Sequence, residues 1–329
     1  MLKKLLIYNS GGGIGDSLQI LPLLNTLKNE FKNTKIYYLS AHQNHFNSTL
    51  KDFKCQIETL NLEIEYFGFR WWHLFCVNNK IKKNNIEDFD LIIDLQSKIR
   101  NTLILKMIPH QYFISASLNF SFSRPKLKIT KNKDINNTII EAMNNIFKNN
   151  YQLKEFDINN IDKKFFDESK RLLPKNNYVG FSITQGNVYR KKQWPIDKVI
   201  NISNEIVKKN KIPVFFIEKK YQDLKNKIKN AIPSAMFPEH ETNHNSPALV
   251  TCLGKRLDFA ITIDNGVMHM LSISKVPLIS LFGPTDSEKF APKYNNSLVL
   301  DSKKLYNSNN VYDITVEDVL LAAKQLVNF

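Results

Sequence analysis

An apolar run that breaks on a carboxylate and a glycine constrains this chain more than any other feature. Phe259-Ala-Ile-Thr-Ile263 has no polar alternation and reads as a buried strand. It stops at Asp264-Asn265-Gly266. An amphipathic helix is expected over 267–274, and a second apolar strand over 277–282 ends in Gly283-Pro284-Thr285. Strand, polar turn, helix and strand form a βαβ unit, so both turns lie at the carboxyl edge of a parallel sheet. Open α/β sheets bind their ligands at that edge. Backbone N–H groups at the start of the 267–274 helix can receive a phosphate, and the helix dipole adds to the attraction. The ligand implied is a nucleotide or a nucleotide-activated molecule.

The same alternation runs through the rest of the chain. Strands are expected at 2–8, 35–39, 91–94 and 112–116, with helices at 16–31 and 101–107. Leu18, Leu21, Leu24 and Leu27 share one face of the first helix, and Pro22 is close enough to its start to be tolerated. Residues 131–176 are polar and rich in Asn and Lys, with helices expected at 137–149 and 162–173; Pro174 ends the second, and the boundary between domains is drawn there. A new series starts with a strand at 178–183. It continues through a helix at 196–209, a strand at 213–217 and helices at 221–230, 247–256 and 316–327, with Ser246-Pro247 as a cap and first-turn pair. Two Rossmann-like halves meeting at a cleft is the architecture these segments imply.

At 329 residues the chain can hold two ordinary cores. No apolar stretch approaches the roughly 20 residues that span a bilayer, and the short run at the N-terminus meets glycines, so no signal peptide is expected. Cys55, Cys76 and Cys252 are scattered and form no Cys-x-x-Cys pair, which points to a reducing cytoplasm. The formal charge of +15 calls for a polyanionic neighbour, but much of the lysine is dispersed among asparagine and isoleucine. With no RNP-like or zinc-knuckle pattern, nucleic acid is not the expected partner.

Several residues carry chemistry on their own account. Asp16, at a helix start, suits either a general base or an N-terminal cap. The Gly11-Gly12-Gly13-Ile14-Gly15 loop misses the dinucleotide register, and Leu39-Ser40-Ala41 offers no acid after the second strand. Its glycines, Gly13 and Gly15 among them, instead let backbone approach an acceptor closely. Lys192 would meet charge developing on a leaving diphosphate, and no Asp-x-Asp pair suited to magnesium presents itself. Glu218 is a candidate ribose contact and His269 a candidate phosphate or ribose contact. Asp264 suits helix capping and orientation of donor hydroxyls. Gln96, Lys98 and Arg100, joined by Arg124, offer an amide and cations to a phosphorylated oligosaccharide, or form an ordinary basic helix start. The aromatic segment at 66–75, from Tyr66 through Arg70, Trp71 and Trp72 to Phe75, would suit a lipid headgroup layer if exposed; core is the preferred reading.

Three motifs together resemble a known family. Gly13-Ile14-Gly15-Asp16 with Leu21-Pro22, Lys192-Gln193-Trp194-Pro195 after the 180–184 strand, and Asp264-Asn265-Gly266-x-x-His269 with Phe282-Gly283-Pro284-Thr285 are similar to the family 9 glycosyltransferases, the lipopolysaccharide heptosyltransferase group. The resemblance implies the α/β GT-B fold, two doubly wound domains facing a central cleft, with residues 1–174 binding acceptor and 175–329 binding donor. It implies transfer of a heptose-like sugar, with inversion and without metal or cofactor, from an ADP-linked nucleotide-diphosphate donor to a lipopolysaccharide core or related surface glycan. Asp16 corresponds to the family's base and Lys192 to its phosphate-contacting lysine; Asp264, Gly266 and His269 match donor contacts, and Thr184 faces the diphosphate. Asn265 stands in the donor turn where the family usually has Ser or Thr, His269-Met-Leu replaces the usual His-Leu-Ala, and the segment at 237–245 is atypical. The implied location is cytoplasmic, with peripheral contact at the inner membrane. A catalytically silent GT-B module that binds glycan or nucleotide is the competing reading; retention of both Asp16 and Lys192 argues against it.

Overall fold

A computed structural model describes residues 2–96, 98–130, 134–186 and 188–327. The chain divides into two compact units, residues 1–157 and 158–329. The boundary thus falls earlier than Pro174. The helix expected at 162–173 forms, but its buried Phe165, Ser169 and Leu172 commit it to the second unit, where it packs on the helix beginning at Pro247.

The first unit is built on β1 (Lys4–Asn9), β2 (Lys35–Ser40), β3 (Glu58–Thr59), β4 (Phe89–Asp94) and β5 (His110–Ser115), all parallel, in the order β3-β2-β1-β4-β5. Its helices are α1 (Ile14–Gln19), α2 (Leu21–Glu30), α3 (His73–Lys83), α4 (Ile99–Leu105) and α5 (Ile135–Phe147). The single helix expected at 16–31 is two: the ladder breaks at Ile20, and Pro22, which has no N–H to donate, sits in the first turn of α2. Leu6, Tyr8, Ile92 and Phe113 from the sheet pack with Val77 and Ile104 from the helices.

The second unit holds β6 (Tyr178–Ser182), β7 (Ile212–Phe215), β8 (Leu257–Ile263), β9 (Leu278–Phe282) and β10 (Ser297–Asp301), again all parallel, in the order β10-β9-β8-β6-β7. Met236 makes one parallel bridge to Val214 of β7, so a rudimentary strand lies outside β7 and completes a Rossmann-type order. The helices are α6 (Lys163–Leu172), α7 (Ile196–Lys208), α8 (Gln222–Ala231), α9 (Pro247–Gly254), α10 (Gly266–Ile273), α11 (Ser287–Phe290), α12 (Ser302–Tyr306) and α13 (Val316–Val327). Helices cover both faces, which is why β8 and β9 read as apolar runs without alternation. Phe181, Phe215 and Phe237 stack in series through the core, at 4.9 and 5.6 Å between ring centres. Ser246 caps α9 by accepting from the Ala248 N–H, as its sequence pattern predicts.

Strand order reverses between β1 and β4 in the first sheet and between β6 and β8 in the second. Those two crevices are where ligands bind in such sheets. No described helix is long and apolar enough to cross a membrane.

Candidate active site

Each crevice is crossed by hydrogen bonds between the two strand-end loops that flank it. In the second unit, Asn265 is the N-cap of α10: its Oδ1 accepts from the Met268 N–H at 3.0 Å. Its Nδ2 donates across the crevice to Ser182 Oγ at 2.7 Å and to the Thr184 carbonyl at 2.9 Å. One side chain therefore starts the helix and fixes the turn after β6 against it. A Ser or Thr could supply the cap but not that reach.

Lys192 closes the same site. Its ammonium donates to the Asp264 carboxylate, and to the Asp264 carbonyl at 3.3 Å. The pair is 12% and 8% exposed, so it is largely withdrawn from water. The lysine is carried by a loop pinned at two points. Its own N–H donates to Gln185 Oε1 at 2.7 Å, and the buried Trp194 donates from Nε1 to the Ile314 carbonyl at 3.0 Å. The Lys-Gln-Trp-Pro motif is thus a cation followed by its anchor, with Pro195 capping α7. The structure brings together Thr184, Lys192, Asp264, Asn265 and Gly266 at this edge. His269, one turn into α10, is 8% exposed and lies within the fold. Glu218 is exposed in the turn after β7, paired with Lys220 at 2.7 Å. Beside it Glu239, which sequence reasoning missed, is pushed up to about 7, first by burial and then by the negative charge of Glu218. It could therefore donate or accept a hydrogen bond near neutral pH.

In the first unit, Gly13 caps α1 in extended backbone, and the Asp16 carboxylate reaches back to accept from its N–H at 3.2 Å. Asp16 is thus not the N-cap its alternative reading expects but the third helical residue, and its carboxylate serves the N-cap N–H from there. Asp16 stays partly exposed, so its carboxylate remains within reach of a ligand. A side chain at Gly11 would place its Cβ 2.5 Å from Asp16 Cβ, so only glycine lets the loop pass here. The organiser is Asn9, buried at the end of β1 and also missed: its Oδ1 accepts from the Gly11 N–H at 3.0 Å and from Gln96 Nε2 at 2.9 Å. Beyond Gly12 lies a cavity of about 490 Å³, lined by His42, Gln43, His45, Glu65 and Tyr66. His45 Nε2 lies 3.2 Å from the Gly12 carbonyl.

The expected basic group is only partly assembled. Gln96 joins the glycine loop through Asn9, and Lys98 is exposed at the N-cap of α4. Arg100 instead donates from Nε to the Gly68 carbonyl at 2.8 Å, which ties it to the aromatic segment. Arg124 is not with them. It pairs antiparallel with Phe113, two residues short of the carboxyl end of the outer strand β5, with its side chain in solvent. Asp94, which ends β4 two residues before Gln96, is an internal anchor: its Oδ2 accepts from Thr102 at 2.6 Å and Ser115 at 2.8 Å, and its Oδ1 from the Gln96 N–H at 2.9 Å. Position at a strand end was the only signal that could have found Asn9 and Glu239. Asn9 directly follows the strand expected at 2–8 and ends the observed one; Glu239 follows a strand too short to leave a pattern.

Two parallel α/β domains, with these polar turns at their switch points, define a GT-B glycosyltransferase architecture. The model of glycosyltransferase family 9 (heptosyltransferase) matches residues 79–318, well over half of the chain, and the chain belongs to that family. It is therefore a glycosyltransferase enzyme, and the silent-module reading is set aside. Lipopolysaccharide heptosyltransferase 1 of Campylobacter coli is 22% identical over 268 residues, covering 74% of this chain and 77% of that protein. Among solved structures, the glycosyl transferase family 9 protein of Veillonella parvula superposes with a TM-score of 0.69 at 16% identity, covering 99% of this chain and 97% of that one. E. coli heptosyltransferase WaaC with ADP superposes at 0.66 and 14% identity, covering 98% and 97%. The likeness to these structures establishes the fold.

Proposed function

We propose that this enzyme moves a heptose-like sugar from an ADP-linked donor to a lipopolysaccharide core or a related anionic surface glycan, in one displacement that inverts the anomeric centre and uses neither metal nor cofactor. The nucleotide-sugar is a substrate. Asp16 takes the proton from the acceptor hydroxyl as that oxygen bonds to the anomeric carbon. The bond from that carbon to the diphosphate breaks, and its electron pair leaves on the phosphate oxygen. Lys192 and the first N–H groups of α10 meet the charge that develops there. Asp264 holds Lys192 until donor arrives and then orients sugar hydroxyls; Thr184, Asn265 and Gly266 shape the phosphate turn, and Glu218 serves the ribose. His269 supports the turn from inside α10. Gly13 and Gly15 admit the acceptor beside Asp16, with Gln96, Lys98 and Arg100 toward its anionic groups.

The observation that carries this reading is the joining of Lys192, Asp264 and Asn265 at the second switch point, directly at the start of a helix. The ADP bound in WaaC and the naming of the Campylobacter coli relative favour ADP and a lipopolysaccharide acceptor. The test is turnover of ADP-heptose against UDP- and GDP-sugars with a deacylated core acceptor, in the presence of chelator, with the product's anomeric configuration read by NMR. Transfer from ADP-heptose alone, with inversion and undiminished by chelator, is expected. Retention of configuration or a strict divalent-metal requirement would refute the mechanism.

A further inference from the structure

The aromatic segment at 66–75 does not form core. Tyr66, Phe69, Trp71, Trp72 and Phe75 are 54, 40, 54, 59 and 83% exposed. Phe67 and His73 turn inward instead, and α3 buries a stripe of His73, Val77 and Ile81. The exposure is held in place by the backbone. Gly68, at φ +88°, donates its N–H to His73 Nδ1 at 3.1 Å and its carbonyl accepts from Arg100. Tyr8 donates to the Phe67 carbonyl at 2.8 Å, and any Cβ at Gly68 would fall 2.3 Å from the Tyr8 hydroxyl oxygen. An inward-facing anchor of this kind presents the outward rings on a fixed platform.

Charge selects the occupant. Between Glu65 and Glu87 there is no acidic residue, while Arg70, Lys80, Lys82 and Lys83 all fall in that interval. Glu63 pairs with Lys80 and Lys83. Arg70 and Lys82 are exposed, and Lys82 lies two turns beyond Phe75 on the face of α3 opposite its buried stripe. Tryptophan, tyrosine and phenylalanine beside uncompensated cations match the headgroup layer of an anionic bilayer, where rings sit among the lipid glycerols and cations meet phosphate. We infer that the face formed by Phe69, Arg70, Trp71, Trp72, Phe75 and Lys82 docks the enzyme on the surface of an anionic bilayer. The face is continuous with the glycine-loop cavity, since Tyr66 lines that cavity and its ring lies 5.2 Å from His42 and 6.4 Å from Phe69. Docking thus deepens the proposed function by bringing a lipid-borne acceptor to the side of the first unit that carries Asp16.

Vesicle binding without donor or acceptor tests this independently of sugar transfer. The full chain is mixed with vesicles of phosphatidylglycerol and phosphatidylethanolamine, and with vesicles of phosphatidylcholine alone; sedimentation gives the partition and tryptophan emission gives the depth. Trp194 is buried, so a blue shift reports Trp71 and Trp72. Binding to the anionic vesicles with a blue shift is expected, and Trp71→Ser/Phe75→Ser should weaken it by at least about tenfold, with melting temperature and ADP affinity unchanged. Wild-type-like binding by the variant would overturn the inference. So would binding only after lipopolysaccharide is added, which assigns the face to the acceptor, or a lipid-free dimer lost in the variant, which assigns it to a second copy.

Discussion

At the scale of single residues, the largely buried Lys192–Asp264 pair is the most consequential interaction. An ion pair removed from water is held by mutual attraction, so deleting one partner leaves the other charge uncompensated. Lys192→Ala should cost about 2–4 kcal/mol in urea unfolding and weaken ADP binding. The double variant Lys192→Ala/Asp264→Asn should regain part of that stability and none of the ADP affinity. Additive losses in the double variant would show that the two groups are not coupled. These two residues were legible in the sequence because motif and chemistry coincided. Arg124 was not: a cation's charge can be read from a sequence, but its place beside Phe113 depends on a return of the chain that no local pattern signals.

At the scale of elements, the βαβ unit from β8 through α10 to β9 was readable almost residue by residue, because strands covered on both faces must be continuously apolar. Weak elements escaped. β3 is two residues long and exposed, and β10 is half-buried, so neither carries a hydrophobic signature. The aromatic segment misled for the opposite reason, since a run rich in rings has the composition of core, and only the fixed turn at Gly68 reveals that most of them face water. The start of α10 offers a test at this scale. Asn265 performs two jobs, capping the helix and spanning to the turn after β6. Asn265→Ser should keep the cap and lose the span, lowering stability by about 1 kcal/mol; Asn265→Ala should lose both, at about 2 kcal/mol. Equal losses in the two variants, measured by chemical denaturation, would remove the span from the account.

At the scale of the whole molecule, the two sheets use one plan twice: a parallel sheet, a reversal of strand order, and a polar turn on each side of it. The division of the chain lies at 157–158 and not at 174 because α6 has an apolar face and packs on α9 of the second unit, a fact of packing that Pro174 could not disclose. The first unit supplies a carboxylate held by a glycine loop, and the second a cation at a helix start. In the proposed mechanism transfer requires both, but binding of the nucleotide requires only the second. Asp16→Asn separates them. In calorimetry and single-turnover transfer on the same preparation, this variant should bind ADP within about twofold of wild type while the transfer rate falls about 10³-fold. A transfer rate within a few-fold of wild type would contradict the assignment of Asp16 as the base.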